Sequence, residues 1–569
     1  MAVLSLLLWG CLLLPLVVAL QTVQHLYRNY SIARKIGIRF HVLPISHLNH
    51  FWMLVDRPIL RYVRRVFGES TFTRYNWMGW ELPDRYSSHH ELGDTFMLVT
   101  PGRNWLYIGH PDVVVDIVRR RDDFPRCVEL GQVLDVFGPS VGSVEGQRWA
   151  TQRKIMMSCF NERYNETVWL ESISQANDMI RYWLARPSIR TTADDARTLS
   201  LDILCKVGFG KSFSFEGAEE TSYKKPSESY KQSLQLILEN CILIIAMGPP
   251  FFTKMPWLPQ KWRQVGEAVT AFRKFMTDMY EAEKRRISSG TSSDGTSSAA
   301  SSSTFLSSIA KASLNAKDGE GLTEQEIYGN IFVINFAGHD TSAHVFTFAV
   351  YFLAANPQVQ DWLSEELKLV LGNSPPDQWD YRLFPRLKRC LAVLYETIRL
   401  YTPVPVTKWT NDKTQTLVVG DKTLVLPPNT MMCLAYSSLQ TDPRWWGEDS
   451  LTWRPSRFVR STAKHGQEVD QYPDASPLEE EFIEPRRGTF VGWSEGTRDC
   501  PGRKFSQVEF VATVASLFRD YTVAPVPFKG ETAEVSRKRV LDLIKNDSGM
   551  VLLQQMLHPE RAPLVWSRR

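Results

Sequence analysis

The chain is 569 residues long, 43% hydrophobic and 22% charged, with 66 Lys and Arg against 62 Asp and Glu for a net charge of +4. So even a balance argues against a nucleic-acid binder, and no zinc-finger or RNA-binding signature is present. Eight cysteines, at 11, 127, 159, 205, 241, 390, 433 and 500, include no CxxC pair, which argues against a disulfide framework or zinc site and for a reducing compartment.

Met1 to Gln21 carry no charge, and the first Lys or Arg is Arg28. Twenty apolar residues rising ~1.5 Å each reach about 30 Å, the thickness of a bilayer's hydrocarbon core. A cleaved signal peptide would bring a positive n-region and a small-x-small cleavage site, and neither is evident. Residues 1–21 therefore predict a retained transmembrane anchor, with Arg28, Arg34, Lys35 and Arg39 keeping the rest cytoplasmic. Residues 22–92 follow as a juxtamembrane segment. Within it, FWMLVDRPILRYVRRVFG (Phe51 to Gly68) mixes large apolar residues with Arg57, Arg61, Arg64 and Arg65. It reads either as a helix on the headgroup surface or as an amphipathic helix packed on its own domain.

From Gly93, GDTFMLVTPGRNWLYIGHPDVVVDIV alternates in short runs broken by Pro101 and Gly102, predicting a hairpin and then a helix from near Pro111. Helical periodicity dominates from there to about residue 400. In EGQRWATQRKIM, Trp149 and Arg153 lie four apart on one helical face, where two donor-only groups suit a carboxylate. SSGTSSDGTSSAASSST (Ser288 to Thr304) has too few apolar groups to offset ordering entropy and predicts a flexible loop between two helices.

Thr323 and Glu326 form a capping-box pattern that opens a long helix ending before Pro357. Asn330, Asn335, His339, Asp340 and His344 count against its being a second membrane span. In its middle, AGHDT places Gly338, where a bulky group can approach the backbone, beside the acid Asp340 and the hydroxyl of Thr341. In LYETIRLYTPVPV, Glu396 and Arg399 share a helix face among Leu394, Ile398 and Leu400, so the pair reads as buried. A second strand-rich stretch covers 405–436, and WRPSRF then offers Arg457 as a third member of that pair. Finally, WSEGTRDCPGRKF sets Cys500 between Gly496 and Gly502 with Arg498 and Arg503 nearby, a loop suited to holding a thiolate against a large flat group.

Taken in order, WATQR, AGHDT, ETIR, WRPSRF and WSEGTRDCPG resemble the cytochrome P-450 family of haem-thiolate monooxygenases, microsomal fungal type, over about Gly93 to Leu552. The resemblance implies a mainly α fold with small β-sheets: an α-rich triangular catalytic domain, 93–569, with a long central helix, behind the N-terminal transmembrane helix. It implies heme b with Cys500 as the iron's thiolate ligand, Gly496 and Gly502 easing the turn under the ring, and Trp149, Arg153, Arg498 and, more weakly, Lys408 on the propionates. Asp340 and Thr341 become the acid–alcohol proton relay. Glu396, Arg399 and Arg457 become a structural triad behind the cysteine loop. Trp493 stands where the family usually has Phe.

The implied reaction inserts one atom of O2 into a lipophilic small molecule, in secondary metabolite biosynthesis, at the endoplasmic reticulum membrane. Electrons would come from NADPH through a separate flavoprotein, an NADPH-cytochrome reductase, docked near Arg148, Lys154, Arg486, Arg487, Arg503 and Lys504. Substrate contacts fall by resemblance on Arg121–Val144, Ile242–Pro259, Phe332–Thr341, Val404–Lys408 and Ser548–Val551. Two other classes stay open. A haem-thiolate isomerase or dehydratase would need no external electrons, and the intact Asp340–Thr341 pair counts against it. A non-haem membrane protein would use Cys500 as a nucleophile, yet no histidine lies within thirty residues of it.

Overall fold

A helix of 35 residues, α1 (Ala2–Ile36), opens the chain, with Arg34 and Lys35 in its last turn, where cations complement the helix dipole. The computed structural model describes residues 2–47, 49–218, 229–240, 243–244, 247–255, 257–289, 304–314, 321–462 and 476–569, without the side chains of 2–15, 50, 133 and 253. No helix among the described residues is long and apolar enough to cross a membrane. The transmembrane helix expected over 1–21 therefore has no support in the structure, and its apolar run falls mostly on side chains outside the described set. The Ser-rich stretch 288–304 likewise lies mostly outside the described residues.

Contacts gather the chain into two compact units. The first comprises Met1–Cys127, Pro405–Ser450 and Arg486–Asp499. Its sheet runs in the order β1 (Phe40–Val42), β2 (Thr95–Val99), β3 (Asn104–Ile108), β7 (Met431–Leu434), β4 (Val406–Trp409). The predicted hairpin is β2 with β3, antiparallel, with Phe96 opposite Tyr107. β5 (Gln415–Val419) and β6 (Lys422–Leu426) pair separately, so the strand-rich stretch at 405–436 holds four strands. The hydrophobic core here joins β2, β3 and β7 to Val113, Val114 and Ile117 of α2 (Pro111–Arg119). Ala33, Leu26 and Tyr30 of α1 pack on it, and Asn29 donates to the Thr100 carbonyl at 2.8 Å, so the second half of α1 is docked.

The second unit, Val128–Val404, Leu451–Pro485 and Cys500–Arg569, is predominantly helical. Its elements include α3 (Gly146–Met157), α4 (Glu162–Leu184), α5 (Thr192–Phe209), α6 (Tyr230–Glu239), α7 (Gln260–Ser288), α8 (Glu324–Ala355), α9 (Lys388–Leu400) and α10 (Arg503–Phe518). The capping box at Thr323 and Glu326 forms as the sequence predicts and starts α8. Propensity does not sustain this helix, since Gly329 and Gly338 each cost about 1 kcal/mol. Burial does: Phe332, Phe336, Phe346, Phe348, Tyr351 and Phe352 are all buried, at ~1.5–3 kcal/mol each. α8 packs along α5, and α10 packs against α4.

Near the start of α8 two backbones cross too closely for any side chain. A Cβ on Gly329 would lie 2.3 Å from the Gly138 carbonyl oxygen, and one on Gly138, at φ +143, would lie 2.2 Å from that of Gln325. Glycine at both positions lets the 128–144 segment lie directly on α8.

Candidate active site

Among the six free cysteines that the structure describes, Cys500 alone is exposed; Cys127, Cys159, Cys205, Cys390 and Cys433 are buried. Burial pushes the Cys159 and Cys205 thiols up to about 12 and those of Cys390 and Cys433 well above their ordinary value, which makes them inert core residues. Cys500 precedes the first turn of α10, and the Arg503 amide donates to its carbonyl at 3.3 Å. The positive end of the helix dipole there favours negative charge. Gly502 takes an ordinary φ of −85, and a Cβ on it would meet Cys500 Sγ and the Phe160 ring only at 3.8 Å. Protein packing therefore gives no steric reason for glycine at 502.

The residues leading into the cysteine belong to the first unit. Gly496, at φ +79, opens a single 3-10 turn, Gly496–Arg498, and a Cβ on it would lie 3.0 Å from the Val118 carbonyl oxygen. Here glycine is required. The loop is fixed further by the Val491 amide on Gln440 Oε1 at 2.8 Å and the Gly488 amide on Glu495 Oε1 at 3.1 Å. Arg498 and Trp493 are half-buried, whereas Lys408 on β4 is buried.

On α3, Trp149 and Arg153 are half-buried on one face. The adjacent face is held by a buried polar network. Arg148 pairs with Glu326, Gln152 donates to Glu326 Oε1 at 3.0 Å, and Asn330 donates to Gln152 Oε1 at 2.9 Å. Glu326 thus caps α8 and also sets the rotation of α3, and hence the direction of Trp149 and Arg153.

Midway along α8, between buried flanks, Ala337 is exposed and Gly338 and Thr341 are half-exposed. A Cβ on Gly338 would meet Leu204 at 3.2 Å. Thr341 Oγ1 donates to the Ala337 carbonyl at 2.6 Å. Asp340 faces elsewhere: Arg197 Nε donates to its Oδ1 at 3.1 Å, His344 Nε2 lies 3.4 Å from the same oxygen, and Arg197 is itself held by Asp194 at 2.8 Å. Burial raises the Asp340 carboxyl, but His344, His339 and Arg197 together outweigh it and hold the carboxyl well below the usual carboxylate range. The acid and the alcohol are neighbours in sequence with separate partners. His339 points into the helix, its Nδ1 2.5 Å from the Asn335 carbonyl oxygen.

Above this stretch, Phe137 meets Phe332 at 5.0 Å and Phe272 at 5.4 Å between ring centroids, bringing two of the expected substrate regions together. Tyr230 donates to Asn335 Oδ1 at 2.7 Å across the same cluster. The Ser548–Met550 strand pairs with Gln554–Met556, and the Gln554 amide donates to the Pro403 carbonyl at 3.0 Å, which joins the turn to the start of 404–408. The Ile242–Pro259 region lies partly outside the described residues.

Behind α10, Glu396 accepts from Arg399 at 2.7 and 2.9 Å, from Arg457 Nε at 3.0 Å and from the Arg454 amide at 2.7 Å. Glu396 and Arg399 side chains are wholly buried and Arg457 nearly so. Next to Glu396, the Tyr395 hydroxyl accepts from Arg503 at 2.8 Å and Gln507 at 3.1 Å, which ties α9 to the turn after Cys500. Of the basic residues considered for partner docking, Arg148, Arg486 and Arg503 also pair within the chain, with Glu326, Asp112 and Glu484 respectively.

Glu509, two turns after Cys500, is fully buried; it accepts from Ser342 at 2.9 Å, and Ser200 also bonds to it. Burial pushes its carboxyl up to about 7, against the opposing pull of both serines. The folded chain therefore holds a proton that the unfolded chain releases, and the associated stability is full below about pH 4.5 and lost as pH rises through about 7. Relative to the parent, Glu509→Gln is expected to gain a few kcal/mol between those limits. Denaturant midpoints measured at both pH values check this; a pH-independent difference counts against it.

The parts that Arg197, His344, Glu326, Tyr395 and Glu509 play here were not read from the sequence. Only Glu326 had a local signal, as the partner of Thr323 in the capping box. An exposed thiol at a helix start, a bare stretch amid a buried helix and a half-buried Trp–Arg face make a donor set that fits haem.

The sequence profile described as cytochrome P-450 matches residues 74–549. A cytochrome P-450 monooxygenase of Arthrobotrys oligospora is 27% identical, covering 89% of each chain. The phomenoic acid biosynthesis cluster cytochrome P-450 monooxygenase of Leptosphaeria maculans is 28% identical, covering 92% of this chain and 94% of its own. A cytochrome P-450 monooxygenase of Penicillium roqueforti is 25% identical over 89% of each chain. With the profile spanning most of its length, this chain belongs to the cytochrome P-450 family and is a monooxygenase that works with a thiolate-ligated haem and a redox partner.

Proposed function

We propose that the enzyme oxidises a lipophilic intermediate of secondary metabolism, with electrons from NADPH delivered by a separate flavoprotein reductase, while anchored by residues 1–21 to the endoplasmic reticulum membrane with its catalytic part cytoplasmic. The observation that carries the reading is the exposed Cys500 at the start of α10, in the same unit as the bare middle of α8. The name of the Leptosphaeria relative, from a biosynthetic cluster, supports the metabolic setting.

Haem would supply the oxygen activation by which one atom of O2 enters substrate and the other leaves as water. Cys500 holds the iron. By the family resemblance, Trp149, Arg153, Arg498 and, more weakly, Lys408 are the residues that would hold the propionates by charge-assisted hydrogen bonds. Thr341 Oγ1 holds a proton at the bare face, and Asp340, ionised between Arg197 and His344, sets the local field. The Phe137, Phe272 and Phe332 cluster excludes water and favours an apolar substrate.

Thr341→Ala and Asp340→Asn are each expected to lower product formation by roughly 10²-fold or more, the range for groups that handle protons in a transition state. Product formed per NADPH consumed is the measurement, and unchanged yield in both variants would remove the proton role. The reading as a whole is tested in microsomes by a reduced-CO spectrum, by turnover with and without NADPH and reductase, and by metabolite profiling of a deletion strain. Turnover that persists without NADPH would reassign the chain to an isomerase or dehydratase.

A further inference from the structure

The helix His50–Phe67 has three distinct faces. Trp52, Asp56 and Leu60, spaced by four, are buried, and the Trp52 indole donates to the Asn76 carbonyl at 2.7 Å. This face docks the helix on its own unit. A second face carries Phe51, Leu54, Val55, Ile59, Tyr62 and Val66, at intervals of mostly three and four, and these are 67, 47, 43, 40, 66 and 52% exposed. Arg57, Arg61, Arg64 and Arg65 make the third, with Arg61 and Arg65 bordering the exposed apolar stripe and Arg57 over the Trp77 ring at 4.6 Å. Arg64 turns away toward Glu69, 3.5 Å off.

Of the two readings left open by the sequence, the packed helix holds for the Trp52–Asp56–Leu60 face, while the apolar stripe is turned outward. A stripe running the length of an 18-residue helix, about 27 Å, is far larger than the scattered apolar residues of an ordinary surface. Four arginines bar a transmembrane span, and the only acid on the helix, Asp56, is buried. An apolar stripe edged by uncompensated positive charge matches the interface of an anionic bilayer, where acyl chains meet phosphates.

We propose that helix His50–Phe67 lies in the plane of an anionic membrane surface, its Phe51–Val66 stripe in the acyl boundary and its arginines among the lipid phosphates. This deepens the membrane residence proposed above and rests on it, but is separable from it: residues 1–21 supply an anchor, and this helix supplies a second, in-plane contact that orients the first unit.

The test places the photoreactive residue p-benzoylphenylalanine singly at Tyr62, Phe51, Arg64 or Leu20 of the full chain. Each variant is reconstituted into phosphatidylcholine vesicles with or without phosphatidylserine, after circular dichroism shows it folded. Irradiation is expected to give lipid adducts at Tyr62 and Phe51, several-fold more with phosphatidylserine, and few at Arg64. Arg61→Gln with Arg65→Gln should abolish the phosphatidylserine dependence. Adducts at Tyr62 and Phe51 to a second copy of the chain, or no lipid adducts at either, would overturn the proposal. The probe at Leu20 separates the two readings: lipid adducts there without adducts at Tyr62 and Phe51 defeat only the in-plane helix, whereas none at any position defeats the membrane reading too.

Discussion

Cys500→Ala is expected to yield a folded chain that has lost the thiolate band of its reduced-CO spectrum and all measurable monooxygenase activity. The fold should survive because the residue is exposed and contributes little packing, so stability should change by no more than about 0.5 kcal/mol. The function should not, because among the described cysteines no second exposed thiol stands ready to replace it. The other described cysteines are buried, and burial disfavours the thiolates of Cys159, Cys205, Cys390 and Cys433. Losing even an outer-shell partner of a metal ligand costs about 10–100-fold, and losing the ligand itself costs more. Cys390→Ala, made in parallel, should keep the spectrum. A normal thiolate band in Cys500→Ala would show that the iron is held elsewhere.

The second large effect belongs to a residue that touches no substrate. Glu396→Ala should destabilise the chain by about 3–5 kcal/mol, because it removes the carboxylate that two buried guanidiniums, of Arg399 and Arg457, and the Arg454 amide share. Burial decides the size. The Arg382–Asp380 pair has comparable geometry at 2.5 Å but stands in solvent, and breaking it should leave stability nearly unchanged. Glu396→Gln, which retains an acceptor but not the charge, should recover part of the loss. Denaturant unfolding of the three variants measures this directly. Because α9 also reaches α10 through Tyr395, Glu396→Ala should further speed haem loss, followed by transfer to an acceptor protein. A Glu396→Ala variant as stable as Asp380→Ala would remove the triad's structural role.

Much of the site was legible along the chain because its signals are local. A capping box spans four residues, a clamp needs two donors one turn apart, and a thiolate loop shows its glycines and arginine within a single turn. At Gly502 the protein's own packing supplies no steric reason for glycine, since its backbone is ordinary and a Cβ would fit against its neighbours in the chain. The paired buried residues behaved differently. That Glu396 and Arg399 lie on one face follows from their spacing, but the closure by Arg457 and the Arg454 amide joins residues about sixty positions apart. Arg197 and Asp340 are 143 apart, Arg148 and Glu326 are 178 apart, and Ser342 and Glu509 are 167 apart. Asp340 and Glu326 belong to motifs, but their partners Arg197 and Arg148, like Ser342 and Glu509, do not, and nothing local marks those four.

By itself, then, the order of residues determined where helices begin, which cysteine differs from the others and which short constellations recur in sequence; each depends on hydrogen bonds and periodicities that close within a turn or two. Tertiary structure alone decided which acid is ionised, which face of a helix is covered and which polar side chains hold one another. Charge state depends on desolvation and on neighbours within a few ångströms, and packing the chain brings those neighbours from anywhere along its length.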